Sequence, residues 1–173
     1  MPRLFFGLSL TMLALDQFLK FWVRVAADET AGRSVAVLWP EVFELKLVYN
    51  EGIAFGMLQG IGLWLAPIAL IIAGWAGYFS LKNPNEPRVA HITMALLAAG
   101  AIGNLIDRLA LGKVTDMFWI RAINFPVFNV ADACITVAGV LMTYRILAEI
   151  FTKRPVKAPG ASSAETPPSD DSQ

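Results

Sequence analysis

The sequence is poor in the side chains that form disulfides or bind metals, with one cysteine, Cys134, and one histidine, His91, in 173 residues. A lone cysteine cannot form an internal disulfide or a paired redox or zinc motif, and we expect it to be a small buried apolar residue. His91 has no second ligand beside it, so we expect it in the core or at a membrane interface. The sequence therefore predicts neither a metal nor a cofactor.

Charge is also scarce. Lys and Arg number 14 together, Asp and Glu number 14, and the net charge is zero, so no basic surface indicates nucleic-acid binding. Hydrophobic residues make up 56% of the chain, and the mean hydropathy is +0.56. Because the apolar residues form runs too long for a soluble core to bury, the composition predicts an integral membrane protein.

Four apolar runs predict an all-α integral membrane protein with four transmembrane helices. Together they form one domain over residues 1–152. The sequence from 153 to 173 is rich in Pro, Ser and acidic residues, and we expect it to be a disordered cytoplasmic tail. The predicted spans are approximately residues 4–25, 60–81, 89–110 and 131–151.

The first span contains an acid and a base, Asp16 and Lys20, four residues apart on one helical face. These charges and the length of the run favour a retained span over a cleaved signal peptide. The pair is either a structural ion pair near a helix end or part of a site, and its position alone leaves both interpretations open.

The segment between the first two spans is polar enough to leave the membrane. Its residues 43–49 alternate, with Phe43, Leu45, Leu47 and Tyr49 on one face, which predicts a strand in a small extracytoplasmic β-sheet or cradle. Asn50-Glu51-Gly52 then predicts a turn.

The end of the third span is unusually polar. Gly100, Asn104, Asp107 and Arg108 follow helical spacing and share one face, and the glycine permits close approach of another helix. With four spans, this end lies on the same side of the membrane as Asn50 and the segment 113–132. The excess of Lys and Arg in the other loops places both termini in the cytoplasm and these polar groups near the opposite face.

Two aspartates, Asp116 and Asp132, lie in the short segment between the last two apolar runs. Taken singly, Asp116 could be a solvated loop residue, and Asp132 could cap a helix together with Asn129. Two carboxylates brought together in a partly dry place cannot both ionise easily, so one keeps its proton while the other acts as a base. Their convergence with Asn104 and Arg108 favours this aspartic-peptidase chemistry.

Five ordered motifs carry a resemblance to lipoprotein signal peptidases, the bacterial signal peptidase II family. The resemblance covers residues 3–151, and the ordered set is far more specific than any one motif. The motifs are Asp16-Gln17 with Lys20, Asn50-x-Gly52-x-Ala54-Phe55, Gly100-x-x-x-Asn104-x-x-Asp107-Arg108, Val114-x-Asp116 and Phe128-Asn129-x-Ala131-Asp132.

The resemblance implies an inner-membrane aspartyl endopeptidase that cuts prolipoproteins immediately before a diacylglyceryl-modified lipobox cysteine, near the periplasmic face. It implies that Asp116 and Asp132 are catalytic. The substrate and membrane lipids are the expected partners, and we expect a monomer. The residues expected to contact substrate or order the pocket are Asn50, Gly52, Asn104, Arg108, Asn129 and Ala131. The residues expected to support the site are Asp16, Lys20, Gly100 and Asp107.

Two other classes of protein compete with this interpretation. A small ion- or proton-coupled transporter would use Asp16, Lys20, Asp107 and Arg108 as a relay, and it predicts charged positions distributed through the bilayer. A noncatalytic membrane adaptor would leave the two paired aspartates unexplained.

Overall fold

The computed structural model describes residues 1–52 and 65–152, and in this part of the chain the protein is mostly helical with one small sheet. A 3₁₀ turn, Arg121–Ile123, follows the last strand. The helices are α1 (Pro2–Ala26), α2 (Ala66–Lys82), α3 (Arg88–Leu111) and α4 (Val130–Thr152), and the strands are β1 (Ser34–Trp39), β2 (Phe43–Asn50) and β3 (Val114–Ile120).

Within the described residues, three helices are long and apolar enough to cross a membrane: α1 with 25 residues, α3 with 24 and α4 with 23. The fourth, α2, is apolar but has 17 residues. The predicted second span starts at residue 60, and its first five residues lie outside the described part of the chain. Ala54, Phe55 and the predicted tail from 153 to 173 also lie outside it.

Helix α3 is the centre of the fold, because α1, α2 and α4 all pack against it. Its inner surface is made of small residues, including Ala95 and Ala99, which let the neighbouring backbones approach. Gly100 and Gly103 mark the closest contacts. A Cβ atom at Gly100 would lie 2.5 Å from the carbonyl oxygen of Ala131, and one at Gly103 would lie 2.7 Å from a carboxylate oxygen of Asp16.

Cys134 and His91, for which the sequence predicts no role in a site, are both buried. Cys134 is 5% exposed on α4, as predicted for a small apolar residue. His91 is fully buried near the start of α3, so it is a core histidine.

The end of α3 delivers the chain directly into β3. Gly112 has φ +74° and donates its N–H to the carbonyl of Arg108, a left-handed helix cap that suits glycine. Strand β3 therefore begins only two residues later, beside the polar end of α3. Because the connection between α3 and β3 is so short, Asp116 lies near the end of α3 that carries Asp107 and Arg108.

The sheet is antiparallel in the order β1-β2-β3. The predicted strand corresponds to β2, whose Leu47 packs with Met117 of β3 and Val23 of α1 in a small core. The prediction that Asp116 lies in a loop is wrong, since it lies in β3 opposite Val48. Every residue from 114 to 117 is buried, so β3 lacks the alternation by which a half-exposed strand is recognised.

The close contact of α3 with α4 predicts that Gly100→Ala destabilises the protein. The added methyl group meets a backbone oxygen that cannot move alone, and overpacking of this kind costs about 1–3 kcal/mol. Thermal unfolding in detergent measures the loss. Gly139→Ala in α4 is the matched control, because its Cβ meets nothing within 4 Å and it should unfold at the wild-type temperature or slightly above. Equal unfolding temperatures for the two variants would contradict the packing described.

Candidate active site

Asp116 is almost completely buried on β3, with 2% of its surface exposed. Its Oδ1 atom accepts a hydrogen bond of 2.7 Å from Nδ2 of Asn129, and the side chain of Asn50 also hydrogen-bonds to it. The partner amides come from the start of α4 and the end of β2. Asp116 is therefore held by groups that are distant in the sequence.

Asp132 lies in the first turn of α4 and forms a capping box with Asn129. The backbone N–H of Asp132 donates to Oδ1 of Asn129 at 2.8 Å, and the backbone N–H of Asn129 donates to Oδ2 of Asp132 at 3.2 Å. The helix-cap interpretation is thus correct in its geometry. It does not compete with a role in a site, because the cap places the carboxylate beside Asn129.

Asn129 connects the two aspartates. While its oxygen caps α4, its Nδ2 atom lies 2.7 Å from Oδ1 of Asp116, 3.1 Å from Oδ1 of Asn104 and 3.3 Å from the carbonyl of Thr115. The side chain is fully buried. Because Asn129 contacts the carboxyl group of Asp116 through its side chain and that of Asp132 through its backbone N–H, Asp116 and Asp132 form a close pair.

A backbone irregularity brings Asn129 to this place. The carbonyl of Phe128 accepts hydrogen bonds from the N–H groups of both Met117 and Phe118, at 3.0 and 2.8 Å, and the N–H of Phe128 donates back to Phe118. The pairing of β2 with β3 shifts register in the same region. Such bulges redirect side chains, and here the segment before α4 is fastened along β3 next to Asp116.

Asn104 of α3 extends the network. Its Nδ2 atom donates to Oδ1 of Asp132 at 2.8 Å, while its Oδ1 atom accepts from Lys20 at 3.0 Å and from Asn129 at 3.1 Å. The side-chain oxygen of Asn104 thus accepts one hydrogen bond from a cation and one from an amide, which fill its two lone pairs. Asn104 therefore joins the buried charges of α1 to the aspartate pair.

Lys20 is a fully buried cation between two carboxylates. Its Nζ atom lies 2.9 Å from Asp16 and 3.5 Å from Asp107. Asp16 also accepts the backbone N–H of Ala131 at 2.8 Å, and Asp107 accepts that of Thr115 at 2.8 Å. The ion pair left open by the sequence thus fixes the two backbone segments that carry Asp132 and Asp116.

Arg108 reaches the turn after β2. Its Nη2 atom donates to the carbonyl of Gly52 at 3.1 Å, and the N–H of Gly52 donates to the side-chain oxygen of Asn50 at 3.0 Å. The Nε atom of Arg108 is buried without a hydrogen-bond partner among the described residues. Arg108 therefore retains a donor near the aspartate pair.

Thr115 was not singled out in the sequence, although three elements hold it. Besides its backbone bonds to Asp107 and Asn129, its hydroxyl accepts a hydrogen bond of 3.0 Å from Arg24 of α1. The sequence carries no signal for this role, because two of the three contacts use backbone atoms that every residue has.

Burial, which is the largest cause, and the nearby charge of Asp132 raise the pKa of Asp116 from 3.8 to about 7. Hydrogen bonds from Asn129 and Asn50 and the charge of Lys20 lower this pKa without offsetting the burial. At neutral pH the pair therefore holds one proton for part of the time. One ionised and one protonated carboxyl group can act as base and acid on a bound water.

A cavity of about 650 Å³ opens beside the pair, between α2 and α4. Its walls are mostly apolar, with Ile68 and Ile72 of α2 facing Ile135 of α4. Of the residues predicted for the pocket, Gly52, Asn129 and Ala131 do not line it, and Ala131 lies instead against Gly100 and Asp16. The predicted site residues that do line it are Asn50, Asn104, Arg108 and Asp132, and Thr136 is a further polar residue in its wall.

The family model described as signal peptidase (SPase) II matches residues 8–148. A protein named lipoprotein signal peptidase from Gloeobacter violaceus is 41% identical over 127 residues, which are 73% of this chain and 72% of that protein. One with the same name from Latilactobacillus sakei is 38% identical over 141 residues, 82% of this chain and 91% of that protein.

Solved structures show the same likeness. A bacterial membrane enzyme determined by the in meso method at 2.3 Å resolution superposes with a TM-score of 0.78 and 27% sequence identity, covering 89% of this chain and 93% of the other. A second, at 1.9 Å resolution, gives a TM-score of 0.71 and 28% identity, with 83% and 92% covered.

The raised pKa of Asp116 predicts that wild-type stability falls as pH rises. Between about pH 4 and pH 7 the folded protein holds a proton that the unfolded chain has lost, so raising the pH through this window destabilises the fold. Asp116→Asn removes this dependence. In thermal unfolding series the variant should therefore be more stable than the wild type at pH 8, with the difference shrinking toward pH 4.

The matched control is Asp28→Asn, which neutralises an exposed aspartate and leaves the aspartate pair untouched. Its pH dependence should follow the wild type. An Asp116→Asn curve parallel to the wild-type curve would show that Asp116 does not gain a proton on folding.

Proposed function

The chain belongs to the signal peptidase II family of aspartic-type peptidases that process lipoproteins, and we propose that Asp116 and Asp132 are its catalytic carboxylates. The observation that carries the proposal is Asn129, which hydrogen-bonds to both aspartates and holds buried Asp116 next to half-buried Asp132. Two acids forced together cost free energy, which suits a site of acid–base chemistry.

In the proposed reaction the ionised carboxylate removes a proton from water, and the water oxygen attacks the scissile carbonyl carbon. The protonated carboxyl group hydrogen-bonds to the carbonyl oxygen as negative charge develops there. Collapse of the tetrahedral intermediate breaks the C–N bond, and the amine leaves with a proton from the pair. The products are a free carboxyl and a free amino terminus, and no covalent enzyme intermediate forms.

The proposed substrate is a prolipoprotein cut immediately before a diacylglyceryl-modified cysteine. Support comes from the cavity, whose apolar walls suit acyl chains and whose polar residues lie at the aspartate end. Arg108 and Asn104 offer donors and acceptors to an extended peptide backbone. The position of the cavity between α2 and α4 favours entry from the lipid rather than from water.

We further propose that α2 also crosses the membrane, in addition to α1, α3 and α4. This gives a four-span domain over residues 1–152, followed by a cytoplasmic tail. An even number of spans leaves both termini on one side of the inner membrane, and the positive charges at that end assign it to the cytoplasm, so the aspartate pair lies toward the periplasmic side. Arg3 near the start of α1, Lys82 at the end of α2 and Arg88 at the start of α3 lie at the opposite end. We propose that the active form is a monomer, since all of the proposed site residues come from one chain.

The distribution of charge favours a peptidase over a transporter. Lys20 contacts both Asp16 and Asp107, and Asn104 connects Lys20 to Asp132, so these ionisable groups form one compact cluster. A relay for ions or protons would place them at several depths.

Cleavage of a synthetic lipopeptide by the purified protein in detergent tests the proposal. Wild type should cut before a diacylglyceryl cysteine and leave the unlipidated peptide intact. Asp116→Asn and Asp132→Asn should each lower kcat by about a thousand-fold or more, because each removes a group that transfers a proton in the transition state.

Asp28→Asn is the control for neutralising an aspartate and should cleave at the wild-type rate. Unfolding temperatures of all variants separate loss of chemistry from loss of fold. Near-normal cleavage by folded Asp116→Asn or Asp132→Asn would show that the chemistry uses another pair of groups.

The proposed reaction uses water and carboxyl groups only, so EDTA should leave the rate unchanged. Cleavage is followed with and without the chelator after prolonged incubation in metal-free buffer. A loss of activity that added zinc or another divalent ion restores would contradict the mechanism.

A further inference from the structure

The contacts of Lys20 balance the local charge and also determine the orientation of a neighbouring side-chain amide. Its ammonium group is fully buried and lies within 3.5 Å of four oxygen atoms. An ammonium group has three N–H donors and no acceptor. Any amide that faces Lys20 must therefore present its oxygen. The four oxygens belong to Asp16, Asp107, the backbone of Gly103 and the side chain of Asn104.

Asn104 is the amide in question. With its oxygen held by Lys20 at 3.0 Å, its nitrogen necessarily faces the other way, where it lies 2.8 Å from Oδ1 of Asp132. The second amide, Asn129, is fixed by the same logic. Its oxygen accepts the backbone N–H of Asp132, which can only donate, and its nitrogen faces Asp116.

The two oxygens of Asp132 therefore both face donors. Oδ1 receives the N–H of Asn104, and Oδ2 receives the backbone N–H of Asn129. Hydrogen bonds donated to both oxygens stabilise the negative charge, so this arrangement favours the ionised form. The N-terminal end of α4 adds a favourable dipole for a negative charge. Asp116 lies in a strand and has no such dipole.

We propose that Lys20 is a positioning residue that orients Asn104 so that Asp132 is the ionised base and Asp116 carries the shared proton. This inference rests on the proposed function and assigns each aspartate its part in it. Asp132 also lines the cavity, where the attacking water must be. The pKa of about 7 for Asp116 agrees with a proton held there near neutral pH.

Charged and titratable groups lie near the pair on several elements. Lys20 lowers the cost of negative charge, whereas Asp16 and Asp107 offset part of that effect. A charge effect and an orientation effect of Lys20 must therefore be separated by experiment. The groups are Asp16 and Lys20 of α1, Asp107 and Arg108 of α3, Asp116 of β3 and Asp132 of α4.

A charge-balanced double variant, Lys20→Met with Asp107→Asn, separates the two effects. It removes one positive and one negative charge, so the net charge of the cluster is unchanged, while the oxygen of Asn104 loses its bond from Lys20 and keeps only the hydrogen bond of 3.1 Å from Asn129. The readout is the pH dependence of kcat/KM for lipopeptide cleavage. Its acidic limb reports ionisation of the base, and its basic limb reports loss of the proton from the acid.

We expect the acidic limb of the double variant to move to higher pH by about one unit, which lowers activity about tenfold at the acidic end. Asn104→Ala keeps the buried ion cluster and removes the donor to Asp132, so it should move the same limb in the same direction. Asp107→Asn alone adds net positive charge and should move the acidic limb to lower pH.

Gln17→Leu is the matched control. Gln17 donates to Asp16 and to the carbonyl of Gly103, two groups that also bind Lys20, but it forms no bond with Asn104. Its profile should keep the wild-type acidic limb.

A wild-type acidic limb in the charge-balanced variant or in Asn104→Ala would overturn the orientation role of Lys20. If the double variant does not fold, Asn104→Ala decides alone, because its ion cluster is intact. These outcomes differ from failure of the proposed function, in which the wild-type protein itself would not cleave the lipopeptide.

Discussion

The buried ammonium group of Lys20 is the constraint on which the site depends. A cation inside an apolar helix bundle is stable only when carboxylates and oxygen atoms surround it, and Asp16 and Asp107 supply the charge. Each carboxylate then has capacity left for a backbone N–H, at Ala131 and Thr115 respectively. One charge cluster thereby fixes the start of α4 and the start of β3 relative to α1 and α3. The two aspartates proposed to act on the substrate follow from that arrangement.

The close packing of α3 makes this cluster possible. Gly100 and Gly103 let α4 and α1 approach until side-chain carboxylates reach the backbone of the neighbouring helix. The left-handed turn at Gly112 then sends the chain into β3 without an intervening loop. Small residues in the membrane part and a short exit from the helix therefore determine where the polar groups meet.

The amino-acid sequence predicts the helices well, because apolar runs of membrane length have few alternatives. It also singles out the acids, since an unpaired charge in such a run needs a partner. The sequence cannot show which groups form hydrogen bonds or ion pairs with each acid. The strand at Asp116 lacks alternation because both of its faces are buried, and β1 carries no clear pattern. Ala131 and Thr115 act through backbone atoms, which are the same in every residue. Asp132 has a helix-cap pattern, and only the structure shows that the cap and the aspartate pair are one arrangement.

The central claim is that the aspartate pair holds one proton near neutral pH, and infrared difference spectroscopy tests it most directly. The protonated carboxyl stretch is recorded for wild type, Asp116→Asn and Asp132→Asn as the pH is raised. The structure predicts one buried carboxyl band in the wild type that disappears near pH 7 and is absent from Asp116→Asn. The same band in Asp116→Asn, or no protonated carboxyl in the wild type at pH 6, would contradict the account.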